Sequence, residues 1–195
     1  IKVQNRLGIR ISDQEYRPAN GRRIIKPTEI SDREKAYLLG LAHDIYTLIR
    51  SPNLIYMTVS TTHRTLVKLI LTVIKYRTVY IYITPPHEKQ ICKTFQYKVD
   101  LTVDMRYKFM QKTDYDWTNY IENVKWALEN YPYEFLAGII DADGHLSICY
   151  DEDKHYYYYE LKISLCGRKG EIIIDLLYQK LIGLGYHINI SHSTK

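Results

Sequence analysis

The sequence predicts an α+β protein built from one unit used twice: a helix, two strands, a second helix and a further strand. Three observations predict it. Stretches with apolar residues at the helical period interleave along the chain with stretches that alternate residue by residue. The strand, polar turn and helix of YMTVSTTHRTLVKLILTVIKY (56–76) recur in LKISLCGRKGEIIIDLLYQKLIGLGY (161–186). Gly40 and Gly138 occupy comparable points of the two opening helices, 98 residues apart. That order implies an internal two-fold.

Residues 1–30 read as a basic arm, with strand-like LGIRI and RRIIK around a polar turn containing Pro18 and Asn20-Gly21. Ser31 and Glu34 have capping-box spacing, so a helix is expected through KAYLLGLAHD. Ser51-Pro52-Asn53 is a turn and LIYMTVS a strand; Leu66, Leu69, Ile70 and Val73 share one face of a helix over HRTLVKLILTVIKY. TVYIYIT and QICKTFQYKVDLTV are strands separated by Pro85-Pro86, completing a first half over 31–104. A polar, helical connector spans 105–130. The second half, 131–195, opens with Pro132 in a first helical turn, continues through YEFLAGIIDAD and stops at Gly144. Strands HLSICY and YYYYELKISL follow, joined by the charged turn DEDK, then the helix EIIIDLLYQKLIGLG and a last strand, YHINIS.

A chain of 195 residues accommodates one sizeable domain or two small ones sharing a core, and 46% hydrophobic with 25% charged residues is a globular composition. The longest apolar run, LILTVI from Leu69 to Ile74, is far too short to span a bilayer, and no secretion-like amino terminus appears, so an intracellular, cytoplasmic protein is expected. Cys92, Cys149 and Cys166 form no C-x-x-C pair, which argues against a disulfide framework and a zinc site. A net charge of +5 and 20 tyrosines against 3 phenylalanines lean toward a nucleic-acid surface without establishing one.

Asp141 and Asp143 end an apolar helix and precede Gly144. A carboxylate at a helix C-terminus meets the negative end of the dipole, which costs about 0.3–1 kcal/mol. Ala137, Gly138 and Ala142, with Gly40 and Ala42 in the first half, leave room for two backbones to approach. If these helices pack side by side and parallel, their carboxyl ends converge and bring Asp143 near a first-half acid, Asp44. A divalent cation reverses the repulsion, and all-oxygen ligands favour Mg²⁺. Paired carboxylates holding Mg²⁺ suit phosphodiester hydrolysis, because the metal polarises a phosphate oxygen, activates water and stabilises the leaving oxyanion. D-x-D-G taken alone is also compatible with a solvated helix end.

LAGIIDADG, 136–144, differs at one position from the motif of the LAGLIDADG homing endonucleases, and LLGLAHDIY, 38–46, resembles a degenerate first copy. Over most of residues 31–192 the chain resembles the monomeric, two-motif branch of that family, found in group I and archaeal introns. The resemblance implies two pseudo-symmetric αββαββ-type halves packed through their LAGLIDADG helices, with four-stranded antiparallel sheets forming a DNA-binding saddle. It also implies a site-specific endonuclease that makes a metal-dependent double-strand break with 3′ overhangs in a long double-stranded DNA target, wherever the intron-bearing DNA resides. The family's metal-binding acid, at the eighth motif position, is Asp143 in the second copy, with Asp141 a supporting residue of the last turn. In the first copy that position is Ile45, and the acid, Asp44, stands one residue earlier, about 100° away on a helix. An altered last turn is needed to present it. Thr61 and Arg168, just past the second strand of each half, are candidates for ordering water near the metal. Ile45 favours the alternative of a nicking or non-cleaving relative such as an intron maturase. Only 57 residues follow Gly138, room for three strands, so the arm is expected to supply the missing sheet edge or an extra DNA clamp.

Strand alternation assigns the faces. Outward positions are Tyr56, Thr58 and Ser60; Thr78, Tyr80, Tyr82 and Thr84; Thr94, Gln96, Lys98 and Asp100; and, in the second half, Ser147, Cys149, Tyr156, Tyr158, Glu160, Lys162, Ser164, His187, Asn189 and Ser191. Tyr157 and Tyr159 share parity with Leu161 and Ile163 and are expected in the core. Any half-exposed sheet has a polar outer face; with the resemblance, these side chains are expected to read base edges. Arg50, Arg64, Arg168 and Lys169 are expected at phosphates.

Overall fold

The computed structural model describes residues 29–85 and 95–190; the arm up to residue 28, Cys92, Thr94 and Ser191 lie outside the described residues. The elements run α1 (Asp32–Leu41), β1 (Tyr46–Ser51), β2 (Leu54–Thr61), α2 (Arg64–Val73), β3 (Thr78–Thr84), β4 (Gln96–Asp104), α3 (Trp117–Asn130), α4 (Pro132–Asp143), β5 (Gly144–Asp151), β6 (Tyr156–Ile163) and α5 (Gly167–Gly183). They fall into two units, one holding Ile45–Thr113 and the other joining Ser31–Asp44 to the chain from Asp114 onward. The α+β class and the antiparallel sheets stand as expected.

The first unit is a four-stranded antiparallel sheet in the order β1-β2-β4-β3. Ile55, Met57 and Val59 of β2 and Val99, Leu101 and Val103 of β4 are buried, and α2 packs on these two strands with Leu66, Val67 and Ile70 buried. Each such side chain contributes about 1.5–3 kcal/mol by leaving water, so the period-two pattern fixes which face turns to solvent. Past β4, Asp104 caps a 3₁₀ turn over Met105–Met110, its carboxylate accepting from the Arg106 N–H at 3.0 Å and from its guanidinium at 2.8 and 2.6 Å. Strand β1 is not legible in the sequence: Thr47 is buried, whereas Leu48 and Ile49 are exposed, so no alternation marks it. A bulge at Arg50 shifts its register between Ile49 and Ser51.

In the second unit α1 begins at the expected capping box: the Glu34 N–H donates to Ser31 Oγ at 3.3 Å and the Ser31 N–H to Glu34 Oε2 at 2.9 Å. Helix α1 packs against both α4 and α3, with Leu39, Tyr120, Phe135 and Ile139 buried. The Tyr120 hydroxyl donates to the Leu39 carbonyl at 3.0 Å, and burial pushes its pKa up. Pro132 opens α4 as expected, directly after Tyr131 ends α3. Helix α5 packs against α3. Strands β5 and β6 form a two-stranded sheet; the Asp151 carboxylate closes the DEDK turn by accepting from the N–H groups of Asp153 and Lys154 at 3.1 and 3.0 Å.

Two expectations fail in this unit. The strand read over YHINIS does not form: 186–190 have no regular structure, so among the described residues the second sheet has two strands, and His187 and Asn189 lie on neither. Gly185, at φ 88°, ends α5 as the N–H groups of Leu184, Gly185 and Tyr186 turn back to Lys180, Ile182 and Leu181. The alternation survives downstream, with Ile188 and Ile190 half-buried, but no strand among the described residues pairs with it. Tyr157 and Tyr159 are not core residues; they are 74% and 76% exposed, and their face-mate Leu161 is 45% exposed. The register places Leu146, Ile148 and Tyr150 opposite Leu161, Tyr159 and Tyr157, giving the hairpin an apolar face that no described residue covers. Parity identified a common face correctly but not whether anything packs on it.

Candidate metal centre

Helices α1 and α4 run parallel, because residues pair in ascending order along both: Arg33 with Glu134 at 3.5 Å, Tyr37 with Asp141 at 2.7 Å and His43 with Asp143 at 2.6 Å. Their backbones touch at the two glycines. A Cβ on Gly40 would overlap the Phe135 carbonyl oxygen and lie 2.8 Å from Ile139 N, and one on Gly138 would overlap the Tyr37 carbonyl oxygen and lie 2.8 Å from Leu41 N. Each glycine thus meets the residues three before and one after its counterpart, so this helix contact is self-complementary.

The two helices end differently. Helix α4 runs to Asp143 and passes directly into β5 at Gly144, whose φ of −79° and ψ of 141° are ordinary extended values. Gly144 is the expected stop for a steric reason: a Cβ there would lie 2.5 Å from the Ile140 carbonyl oxygen and 2.7 Å from its Cα. Helix α1 ends at Leu41, and Ala42–Asp44 tighten into a 3₁₀ turn. A 3₁₀ turn advances each residue by about 120° instead of 100°, supplying the altered last turn that Asp44 requires. Ile45 is fully buried.

His43, Asp44 and Asp143 each offer one ligand atom, all within 4.8 Å of one another, the one such group of three or more metal-ligating side chains among the described residues. Bonds of about 2.1 Å to an octahedral cation place adjacent ligand atoms about 3 Å apart and opposite ones about 4.2 Å apart. His43 Nδ1 lies 2.6 Å from Asp143 Oδ2, so shifts of about half an ångström bring the set to that spacing. The donors suit a divalent ion, with one difference from expectation: a nitrogen stands among the oxygens. Asp141 is outside the group. It accepts the Tyr37 hydroxyl, whose pKa is raised by burial, then by the bond to Asp141 and its charge.

In the first sheet Tyr56, Thr58, Ser60, Tyr80, Tyr82, Gln96 and Lys98 share the outward face, in cross-strand rows Thr58–Asp100–Tyr80 and Ser60–Lys98–Tyr82. Asp100 accepts the Thr58 hydroxyl at 2.7 Å with the Lys98 ammonium 4.0 Å away, which offsets the acid on this face. Burial, then the bond to Asp100, raise the Tyr56 pKa. Arg50 and Arg64 are exposed, at the β1 bulge and the first turn of α2. Thr61 is buried and accepts the His63 N–H at 3.0 Å, a turn contact leading into α2. In the second sheet Ser147, Cys149, Tyr156, Tyr158, Glu160 and Lys162 share the face opposite the apolar one, and Lys162 pairs with Glu160 at 2.8 Å. Arg168 is exposed near the start of α5. Lys169 is engaged within the protein, 2.7 Å from Asp114 and over the Trp117 ring at 4.9 Å.

No family model and no curated protein matches this chain. Among the described residues no helix is long and apolar enough to cross a membrane. His43 and Tyr37 are the site residues that the sequence reading missed. His43 carried one signal: it aligns with Asp141 at the sixth motif position, next to Asp44.

Proposed function

We propose that this chain is a monomeric, divalent-metal-dependent DNA endonuclease of the LAGLIDADG homing type, cutting both strands of a long target and leaving 3′ overhangs. The observation that supports it is the convergence of Asp44 and Asp143 at the ends of two helices joined backbone to backbone at Gly40 and Gly138. Two carboxylates there oppose each other and both helix dipoles, an arrangement that a cation offsets. Mg²⁺ bound there supplies a Lewis acid that polarises a phosphate oxygen and activates water. Asp44 and Asp143 would hold it, one from each helix. Thr61 and Arg168 are proposed to order water or phosphate nearby. In this reading the reciprocal glycine contact is the centre of an internal two-fold relating αββαββ-type halves. The outward sheet residues read base edges, and Arg50, Arg64 and Arg168 contact phosphates, which sets the salt dependence, Lys169 being engaged with Asp114.

A nicking or non-cleaving relative, such as an intron maturase, is the second reading, favoured by the burial of Ile45 at the first copy's acidic position. The two separate on a supercoiled plasmid carrying a site selected by the protein from a randomised duplex pool. Linear product with Mg²⁺ but not Ca²⁺ supports double-strand cleavage, whereas nicked circles, or binding without cutting, support the second reading. Failure to select any duplex overturns both.

A further inference from the structure

We infer that His43 is a direct nitrogen ligand of this centre, making it a mixed carboxylate–imidazole site that binds transition-metal ions such as Mn²⁺ and Co²⁺ more tightly than Mg²⁺. The inference rests on the proposed reading only in taking Asp44 and Asp143 as a cation site.

Geometry carries it. An outer-shell histidine supports a ligand without offering the ion an atom of its own. Here the imidazole nitrogen is itself one of three ligand atoms, from His43, Asp44 and Asp143, that lie within 4.8 Å of one another. The 2.6 Å between Nδ1 and Asp143 Oδ2 is slightly below the spacing of two adjacent ligands around one ion. His43 and Asp44 are successive residues of the 3₁₀ turn over Ala42–Asp44, and each places a ligand atom within 4.8 Å of the other and of Asp143. Tyr37 occupies Asp141, the only other acid in the last turn of α4, leaving Asp143 as that helix's contribution.

The donor chemistry sets the preference. Mg²⁺ demands oxygen ligands and sheds its waters reluctantly, while imidazole suits first-row transition metals, whose affinities rise from Mn²⁺ to Co²⁺. Replacing one oxygen by nitrogen therefore weakens discrimination toward Mg²⁺ and raises affinity for Co²⁺.

The test uses the full chain stripped of metal and titrated with Co²⁺, followed by its visible absorption bands, with Mn²⁺ and Mg²⁺ measured by equilibrium dialysis. Circular dichroism confirms folding of each variant, and His43→Gln replaces His43→Ala if the alanine variant does not fold. Wild-type protein is expected to bind Co²⁺ at least about tenfold tighter than Mg²⁺. His43→Ala should lose about tenfold or more of the Co²⁺ affinity, shift the Co²⁺ bands and leave Mg²⁺ binding nearly unchanged. Asp44→Asn should weaken both ions. Unchanged Co²⁺ affinity and bands in His43→Ala overturn the imidazole ligand while leaving a carboxylate metal centre, and the endonuclease reading, intact. No binding of any of the three ions to wild type overturns the ligand assignment and the metal-dependent reading together.

Discussion

Gly138→Ala measures the helix contact on which the site depends. In an exposed helix the substitution would stabilise by about 1 kcal/mol, because alanine is the better helix former. Here the added Cβ meets backbone, the Tyr37 carbonyl oxygen and Leu41 N at 2.8 Å, and backbone atoms cannot rotate away as a flexible side chain can. Ordinary contact needs about 3.5 Å, so α1 and α4 must separate by about 1 Å, a gap that forfeits a quarter to a half of the dispersion between the surfaces that face each other. Overpacking of this kind costs about 1–3 kcal/mol where side chains can adjust, and more where they cannot. Net of propensity, a loss of about 2 kcal/mol is expected, a fall in Tm of about 4–8 °C for a chain of this length. Thermal and urea unfolding followed by circular dichroism provide the assay, with Gly40→Ala expected to match. Gly183→Ala is the control: nothing lies within 4 Å of its added Cβ, so it should be neutral or stabilising by up to about 1 kcal/mol. A Gly138→Ala protein as stable as wild type would refute backbone-to-backbone packing.

Asp143→Asn should abolish plasmid cleavage while leaving duplex affinity, measured by gel shift, largely intact; normal cutting would remove Asp143 from the site. Hydrogen bonding from Arg106 lowers the pKa of Asp104, so the stabilisation is present above the ordinary carboxylate value of about 4 and is lost as pH falls through the lowered one. Asp104→Asn keeps a capping side chain but loses the ion pair with Arg106, so it should cost up to about 1 kcal/mol at pH 7 and progressively less below pH 4, read from urea midpoints; a difference that does not vary with pH would contradict the pairing. His155 holds a left-handed φ of 55°; His155→Gly should raise stability by up to about 1 kcal/mol, and a drop in Tm would mean that its contact with the Tyr150 hydroxyl at 3.2 Å matters more.

What the sequence made legible is what local chemistry decides. Ser31 and Glu34 announced the start of α1, Pro132 that of α4, and Gly40 and Gly138 the contact between them, because capping and close approach each need particular residue types at fixed spacing. The buried faces of β2 and β4 followed from alternation, since burial on one side forces a period of two. Partnership was not legible. HINI alternates as a strand would, yet among the described residues no strand pairs with 186–190, and the apolar side of β6 lacks a covering layer among them as well. Strand β1 escaped for the converse reason, being paired along its length without a periodic burial pattern. At the candidate site, Asp143 was readable from its motif and Asp44 from its place at the helix end, whereas the 3₁₀ turn that presents Asp44 is a deviation of backbone geometry that no residue in Ala42–Asp44 advertises.

The passage from α4 to β5 takes place at a single peptide, Asp143 to Gly144, with no intervening loop. A strand rises about 3.3 Å per residue and duplex DNA about 3.4 Å per base pair. Under the proposed function the hairpin is therefore a ruler whose zero mark is the carboxylate. Ser147, four residues from Asp143, lies about 13 Å along it, or about four base pairs. Lengthening the junction by one residue would displace the cut by about one base pair relative to the contacted sequence, so cleavage position and base recognition are geared together by a turn too short to slip.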